Sequence, residues 1–273
     1  MDLSSVTSIK SLLRKHKISP SKKFGQNFLI DKSSLRKVIT TAGLNPDETV
    51  LEVGPGLGVL TQELAEKAKR VVAVEKDPKM VAMLKETLKD YKNIEIIQEN
   101  ILKLQNQIPK HYKIVANLPF YLTAPVIRQF LESAEDRPQQ MILIVQKEVG
   151  QRICSKVPRM NLLAVSVQVY AKVEIIDYIS KKSFWPQPKV DAAIIKITPL
   201  KRLLRPGLNK FFLIVKAGFS QPRKQLINNL SKSLKLSRAR VKEWLKKNSI
   251  QPTQRAETLT VKDWIKLTKS IKI

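Results

Sequence analysis

Short runs of β-branched and other apolar residues recur through the first half of the chain, separated by more polar segments. Continuous apolar runs of this length are typical of strands buried in a parallel sheet. The five runs occupy residues 49–53, 71–75, 94–98, 113–117 and 141–146. Apolar residues at helical spacing predict helices between them, at residues 58–68, 78–91 and 123–134. Strands that alternate with helices favour an α/β fold with a doubly wound sheet.

The second half of the chain is less regular. The segment 161-NLLAVSVQVYA-171 can be read as a buried helix or as a strand, whereas 191-DAAIIKITP-199 predicts a final strand. Residues 200–209 contain Pro206 and Gly207 and are expected to form a linker. Residues 208–273 place apolar residues at helical spacing among many lysines, which predicts a small basic helical domain.

The formal net charge of +27 over 273 residues is concentrated at the two ends of the chain. Residues 1–37 contain nine Lys/Arg and two acidic residues, and residues 201–273 contain nineteen and three, whereas the residues between contain twenty-two and eighteen. Basic flanks around a nearly balanced core favour binding of a polyanion such as RNA over a merely solubilising surface. We therefore predict a basic arm plus catalytic domain at 1–200 and an RNA-binding helical domain at 201–273.

Several classes of protein are disfavoured by the sequence. No apolar run reaches the roughly 18 to 20 residues of a membrane span, and residues 1–24 contain no signal-peptide core. Cys154 is the single cysteine, so neither an intrachain disulfide nor a cysteine-based zinc site can form. We expect a monomeric cytoplasmic protein that binds no membrane and no metal.

A glycine-rich turn and the ends of the next two strands predict a nucleotide-like cofactor site. Gly54 and Gly56, in the turn 54-GPGLG-58, lack side chains that would keep a ligand from the backbone. Glu75 ends the second predicted strand, where it could accept hydrogen bonds from ribose hydroxyls. Asn100 follows the third, and its amide could meet an adenine edge or simply form a turn.

The fourth predicted strand ends in Asn117-Leu118-Pro119-Phe120, which is an unusual way to end a buried strand. The Asn117 amide oxygen and the main-chain carbonyl of Leu118 or Pro119 could accept both N–H bonds of an amino group on a base, which makes that nitrogen more nucleophilic. Pro119 would fix the backbone, and Phe120 would offer a face for stacking a flipped base.

Seven segments together resemble one known family over roughly residues 10–235. They are 24-FGQNFLID-31, 52-EVGPGLGVLT-61, Glu75, 117-NLPF-120, 146-QKEVGQRI-153, 184-FWPQPKVD-191 and 219-FSQPRKQLINNL-230. The set resembles the bacterial small-subunit ribosomal RNA adenine dimethyltransferases, which are related to the erythromycin-resistance methyltransferases. The resemblance implies a class I, Rossmann-like fold with a small C-terminal helical domain. It also implies transfer of methyl groups from S-adenosylmethionine to N6 of two adjacent adenosines in the 3′-terminal hairpin loop of small-subunit RNA, within a pre-ribosomal particle.

The resemblance also assigns roles to individual residues. The cofactor would contact Asn27, Leu29, Gly54, Glu75, Asn100 and Asn117, and the target adenine would lie between Phe120 and Phe184. Phe184 could alternatively be a core aromatic. The family usually has aspartate in place of Asn100 and tyrosine in place of Phe120, and here Tyr121 follows directly. The first change puts an amide of altered polarity in place of a carboxylate near the cofactor, and the second keeps an aromatic ring near the base but loses its hydroxyl.

Two questions stay open at the level of sequence. The basic segment 9–23 is expected to be an RNA-contacting arm or short helix that places Asn27 and Leu29 over the cofactor, with a targeting peptide as the alternative. The function could instead be methylation of large-subunit RNA, as in antibiotic resistance, or non-catalytic RNA binding. Glu75, Asn117 and Phe120 argue against the non-catalytic alternative.

Overall fold

The computed structural model describes residues 3–21, 25–104, 110–132, 137–201 and 207–271. The chain forms two compact units. Unit 1 contains residues 1–150 and 172–199, and unit 2 contains residues 151–171 and 200–273. Residues 151–171 therefore group with the C-terminal helices, whereas the sequence-based division left them with the catalytic domain.

Nine strands lie in the described part of unit 1. They are β1 (Phe28–Leu29), β2 (Thr49–Val53), β3 (Arg70–Glu75), β4 (Ile94–Gln98), β5 (Tyr112–Asn117), β6 (Met141–Gln146), β7 (Ala171–Ile179), β8 (Phe184–Trp185) and β9 (Ala192–Pro199). Seven of them form one sheet in the order β4-β3-β2-β5-β6-β9-β7. Strands β2 to β6 run parallel to one another, and β9 runs antiparallel to β6. The five predicted parallel strands and the predicted final strand are confirmed.

The described helices alternate with these strands and then continue alone. They are α1 (Val6–Lys15), α2 (Lys32–Ala42), α3 (Val59–Ala65), α4 (Pro78–Thr87), α5 (Thr123–Glu132), α6 (Lys147–Ile153), α7 (Leu162–Gln168), α8 (Leu208–Gly218), α9 (Leu226–Leu234), α10 (Arg238–Lys247) and α11 (Val261–Ser270). The predicted helices at 58–68 and 78–91 are present but end earlier. The ambiguous segment 161–171 is a helix, α7, whose last residue Gln168 is followed closely by β7. No helix of the described ranges is long and apolar enough to cross a bilayer.

Helix α1, which precedes the sheet in the sequence, packs against the rest of unit 1. Helix α1 is amphipathic, and its residues Ile9, Leu12 and Leu13 are buried with Phe28, Leu57, Met80 and Met83. His16 follows the helix, and its Nε2 lies 2.9 Å from Glu86 Oε2 on α4. Lys10, Arg14 and Lys15 remain exposed. The predicted helical arm therefore exists as a docked helix with a basic outer face, and residues 22–24 lie outside the described residues.

Unit 2 is a helical unit with its own buried core. Trp264 of α11 is fully buried, and a Cβ on Gly218 would come within 2.3 Å of its ring. Asn229 of α9 is also buried and donates from Nδ2 to the carbonyls of Gly218 (2.7 Å) and Gln221 (2.9 Å). The predicted linker 200–209 lies largely in residues 202–206, which are outside the described residues, and its last two residues belong to α8.

Candidate active site

The carboxyl ends of the parallel strands surround one cavity of about 350 Å³ in unit 1. This volume is within the range of about 300–1,000 Å³ that is usual for small-molecule pockets. Every site residue predicted from the sequence lines it: Asn27, Leu29, Gly54, Gly56, Glu75, Asn100, Asn117, Pro119, Phe120 and Phe184. The tertiary structure thus brings these ten residues together. Parallel strand order explains those that follow β2 to β5, since it places the carboxyl ends at one edge, whereas Asn27, Leu29 and Phe184 come from or beside a separate two-stranded ribbon.

The glycine turn after β2 lets the side chains of Pro119 and Phe28 come close to the main chain of the turn. Gly54 (φ +68°) and Gly56 (φ +59°) adopt left-handed conformations that favour glycine. A Cβ on Gly54 would lie 3.5 Å from Pro119 Cδ, and a Cβ on Gly56 would lie 3.1 Å from the Phe28 ring. The turn can therefore pack beneath both the β5 tip and the segment before α2.

Glu75 lies at the end of β3 and is held in place by main-chain donors. Its Oε1 accepts a hydrogen bond from the Asp77 N–H (2.9 Å), and its Oε2 accepts a longer one from the Gly56 N–H (3.4 Å). Burial raises the pKa of Glu75, and these hydrogen bonds partly oppose the rise. The carboxylate is therefore fixed in direction while it retains lone pairs for further donors in the cavity.

Asn100 performs the turn role that the sequence left open. Its Oδ1 accepts from the Leu102 N–H (3.2 Å) and caps a short 3₁₀ turn at Ile101–Lys103. The same side chain also lines the cavity. Its NH₂ group can therefore donate to a ring nitrogen of a ligand while its oxygen caps the turn.

The tip of β5 presents Asn117 in a defined orientation. Asn117 Nδ2 donates to the carbonyl of Asn27 at 3.0 Å. A carbonyl can accept only from the NH₂ end of an amide, so this contact identifies Oδ1 as the remaining acceptor. The Pro119 carbonyl already accepts from the Leu122 N–H (2.8 Å), whereas no hydrogen bond to the Leu118 carbonyl is present among the described residues. Of the two main-chain acceptors left open by the sequence, Leu118 is the more available.

Residues 25–29 form a strap along one side of the cavity. Its β1 residues pair antiparallel with β8, with Phe28 opposite Trp185 and Leu29 opposite Phe184. Phe184 is 4% exposed and belongs to the apolar core that contains Leu29, yet it also lines the cavity. It is therefore both a core aromatic and a wall of the site. The sequence did not predict this two-stranded ribbon, because strands of two residues have no detectable periodicity.

The strap is also tied to the Glu75 end of the cavity through Gln26, a residue that the sequence analysis missed. Gln26 Nε2 donates to Asp77 Oδ2 (3.2 Å), and its Oε1 accepts from the Ser21 N–H (2.7 Å). Asp77 is 7% exposed, and its other oxygen caps α4 through the Lys79 N–H (3.0 Å). Gln26 thus fastens the strap to the residue whose N–H holds Glu75.

Exchanging the amide and the carboxyl group should test the hydrogen bond between Gln26 and Asp77. Gln26→Glu would place a carboxylate against that of Asp77, so we expect cofactor affinity to fall roughly tenfold, about 1.4 kcal/mol. Adding Asp77→Asn to Gln26→Glu should restore affinity, because the new amide can donate to the new carboxylate. Asp77→Asn alone keeps the helix cap but turns an NH₂ group toward Gln26 Nε2, so it completes the double-mutant cycle as the second single variant. Isothermal titration calorimetry measures all four proteins, and a double variant as weak as Gln26→Glu would refute the link.

Glu52, the second missed residue, is a carboxyl group 1% exposed at the wall of the cavity. Burial raises its pKa to about 8, and the nearby charge of Glu75 adds to the rise. The neighbouring Thr61 hydroxyl opposes part of this rise, although neither it nor Glu52 Oε2 makes a hydrogen bond of ordinary geometry among the described residues. Glu52 is therefore largely protonated at neutral pH. Its position as an acidic residue inside a buried apolar strand is the sequence signal that could have identified it.

Two aromatic residues follow Pro119 at the cavity. Phe120 is half-buried, and Tyr121 is 53% exposed. Partial burial, followed by the charge of Glu75, raises the pKa of Tyr121. Within the described ranges, no group of three or more His, Cys, Asp or Glu side chains is arranged to hold a metal ion.

Comparisons with known proteins agree with this architecture. The family model described as "Ribosomal RNA adenine dimethylase" matches residues 18–272. A "Ribosomal RNA small subunit methyltransferase A" from Dehalococcoides mccartyi is 41% identical, covering 93% of this chain and 89% of the relative, and one from Enterococcus faecalis is 38% identical, covering 96% and 94%. The crystal structure of the 23S rRNA methyltransferase ErmE superposes with a TM-score of 0.73 at 27% identity, over 89% of this chain and 99% of ErmE. A dimethyladenosine transferase from Plasmodium falciparum gives a TM-score of 0.74 at 24% identity, over 87% and 94%, and supports the fold alone. The chain therefore belongs to the ribosomal RNA adenine dimethylase family.

Proposed function

We propose that this enzyme dimethylates N6 of two adjacent adenosines in the 3′-terminal hairpin loop of small-subunit (16S) ribosomal RNA, within a pre-ribosomal particle. The observation that carries the proposal is the tethered amide of Asn117, whose NH₂ is held by the Asn27 carbonyl while Oδ1 remains to accept a hydrogen bond. The choice of small-subunit RNA rests on relatives of that name at 38–41% identity over most of the chain. The proposal includes that the enzyme acts in the cytoplasm as a monomer.

The residues of the cavity fit S-adenosylmethionine as the methyl donor. Glu75 would accept hydrogen bonds from the ribose hydroxyls, and the Gly54–Gly56 turn would lie against the ligand without a side chain between them. Asn100 would donate to the adenine, and Asn27 and Leu29 would cover the cofactor from the strap. The bound cofactor supplies an electrophilic methyl group on sulfur.

The β5 tip would hold the methyl acceptor. In the first transfer Asn117 Oδ1 and the Leu118 carbonyl would each accept one N–H of the adenine amino group, which draws its lone pair out of the ring system and toward the methyl group. In the second transfer one of these acceptors would hold the single N–H that remains. Phe120 and Phe184 would contact the two faces of the flipped base. The attacking nitrogen can release its proton to water after transfer, so no side chain is required as a general base.

Unit 2 would bind RNA phosphates. Its residues 207–271 contain fifteen Lys/Arg and three acidic residues, and every one of the basic side chains except Lys210 is exposed. Phosphate contacts release counterions, so RNA affinity should fall steeply as salt rises. This distribution supports RNA binding by unit 2 and by the basic face of α1, with the chemistry in the cavity.

The direct test is methylation of small ribosomal subunits that lack the modification. The subunits are incubated with the enzyme and isotope-labelled S-adenosylmethionine, and their RNA is digested and analysed by mass spectrometry. We expect monomethyl- and then dimethyladenosine in one 3′-terminal hairpin fragment. Label in another fragment would refute the proposed site, and failure to bind the cofactor in calorimetry would indicate a non-catalytic RNA-binding factor.

Methylation of large-subunit RNA is a second candidate, favoured by the similarity to ErmE. Free large-subunit RNA assayed in parallel distinguishes the two candidates. Label on large-subunit RNA with none on small subunits would select this alternative.

Phe120 offers a test of base stacking. Phe120→Tyr keeps the ring and should retain turnover within about threefold, whereas Phe120→Ala removes a stacking face worth about 1–3 kcal/mol and should lower kcat/KM for RNA by roughly 10- to 100-fold. Steady-state methylation measures both variants. Equal activity of the two variants would contradict a stacking role.

A further inference from the structure

A second cavity, of about 320 Å³, lies next to the ribbon formed by β1 and β8. The ribbon continues beyond the pair Leu29 and Phe184 through a hydrogen bond from the Ile30 N–H to the Ser183 carbonyl (2.9 Å). Asp31 and Ser183 then line the second cavity. The two cavities are therefore neighbours along one ribbon, and Phe184, the proposed wall for the target base, is adjacent in sequence to Ser183.

The second cavity is lined mainly by hydrogen-bonding groups. Four serine hydroxyls, at positions 33, 34, 180 and 183, surround it together with Asp31, Lys37 and Asp177. Asp31 accepts from the Ser34 hydroxyl (2.5 Å) and the Ser34 N–H (2.9 Å), and these bonds lower the pKa of Asp31. Lys37 Nζ lies 3.6 Å from Asp177 Oδ2. Carboxyl groups and hydroxyls in this number suit a ligand rich in hydroxyl and N–H groups, such as a nucleoside.

Tyr178 adds an aromatic surface at the rim of the same cavity. It is 48% exposed, and Lys147 Nζ lies 5.2 Å from the centre of its ring and 3.6 Å from Asp191 Oδ2. The large exposed hydrophobic side chains of the described part of unit 1 are Tyr121, Tyr178 and Val190. Tyr121 lines the first cavity and Tyr178 the second, so each cavity has an exposed tyrosine.

We propose that the second cavity binds a nucleotide that flanks the target adenosine in the same RNA strand, with its base stacked on Tyr178. The ribose hydroxyls would donate to Asp31 or Asp177, and the serine hydroxyls would meet the polar edge of the base. Lys147, together with Lys181 and Lys182 of the turn before Phe184, would lie near the phosphates. This inference rests on the proposed function, because it requires a single-stranded RNA substrate whose target base enters the first cavity.

Kinetics of Tyr178 variants test the proposal on unmethylated small ribosomal subunits. Stacking of one base is worth about 1–3 kcal/mol, so Tyr178→Ala should raise the KM for RNA on the order of tenfold while kcat and the KM for S-adenosylmethionine stay within twofold. Tyr178→Phe keeps the ring and should behave like the wild type. Val190→Ala is the control, since it removes another exposed apolar side chain from the segment between β7 and β9, away from the second cavity's lining residues. An unchanged KM for RNA in Tyr178→Ala would overturn the proposal.

Photocrosslinking locates the occupant directly. A benzoylphenylalanine incorporated at position 178 should crosslink to RNA within a few nucleotides of the methylated adenosines, as mapped by primer extension. A crosslink to a ribosomal protein or to a distant RNA segment would overturn the assignment. Failure of the proposed function gives a different result, because the wild-type enzyme would then leave the small-subunit hairpin unmethylated.

Discussion

Asn117→Ala is expected to lower methyl transfer by at least 10²- to 10³-fold while RNA affinity stays within about threefold of wild type. Alanine removes both the Oδ1 acceptor and the Nδ2 donor that binds the Asn27 carbonyl at 3.0 Å. The exposed basic side chains of unit 2 are untouched, so the electrostatic part of RNA binding should remain. Single-turnover methylation and equilibrium RNA binding measure the two quantities separately.

Asn117→Asp is the matched control for this prediction. Aspartate keeps the size and an acceptor oxygen, but it has no donor for the Asn27 carbonyl, so its second oxygen would face that carbonyl without a hydrogen bond. We expect Asn117→Asp also to be strongly impaired, which would show that the tether matters as well as the acceptor. Retention of a tenth of wild-type turnover by Asn117→Ala, or a parallel loss of RNA binding, would contradict this division of roles.

Glu52→Gln is expected to change how stability depends on pH. The pKa of Glu52 is about 8 in the folded protein, whereas in the unfolded chain it is that of an ordinary glutamate near 4.3. Between these values the folded state holds a proton that the unfolded state has lost, so Glu52 lowers the free energy of unfolding as pH rises from about 4.5 to 8. The contribution is complete below pH 4.5 and lost above pH 8, and it amounts to something on the order of 5 kcal/mol. Glutamine does not ionise, so the variant should lose less stability over this range.

Denaturant unfolding at several pH values between 5 and 8.5 measures this effect as a difference between variant and wild type. That difference removes the contribution of titrating groups that do not interact with Glu52. Glu66→Gln is the matched control, because it makes the same substitution at a glutamate that is exposed at the end of α3. If the Glu52→Gln and wild-type curves ran parallel from pH 5 to 8.5, Glu52 would not be the buried proton-holding group.

Sequence patterns predicted the structure best for strands whose burial can be read from their own apolar residues. The runs at 49–53, 94–98 and 141–146 match β2, β4 and β6 at both ends. Parallel strands bring their carboxyl ends together, so residues that follow separate runs, such as Gly54, Glu75 and Asn117, could be assigned to one site before any contact was known.

The pattern of apolar and polar residues could not predict contacts between segments that are distant in the sequence. Gln26 and Asp77 are 51 residues apart, and their hydrogen bond depends on the position of the strap beside the start of α4. The second cavity likewise needs the start of α2 beside the end of β7. Residues 151–171 join unit 2 because α7 packs with the C-terminal helices, although they lie between strands of the sheet in the sequence.

The sequence by itself determined the parallel sheet, the glycine turn, the acid at the end of β3 and the amide at the end of β5, because local hydrophobic period and strand-end position specify them. Only the tertiary structure decided which end of the Asn117 amide is available, which carbonyl is left for the substrate and which carboxyl holds a proton. Those properties depend on burial and on partners from other segments. Asn27 binds Asn117 across 90 residues of chain, and Glu52 is neutral because the folded protein excludes water from it.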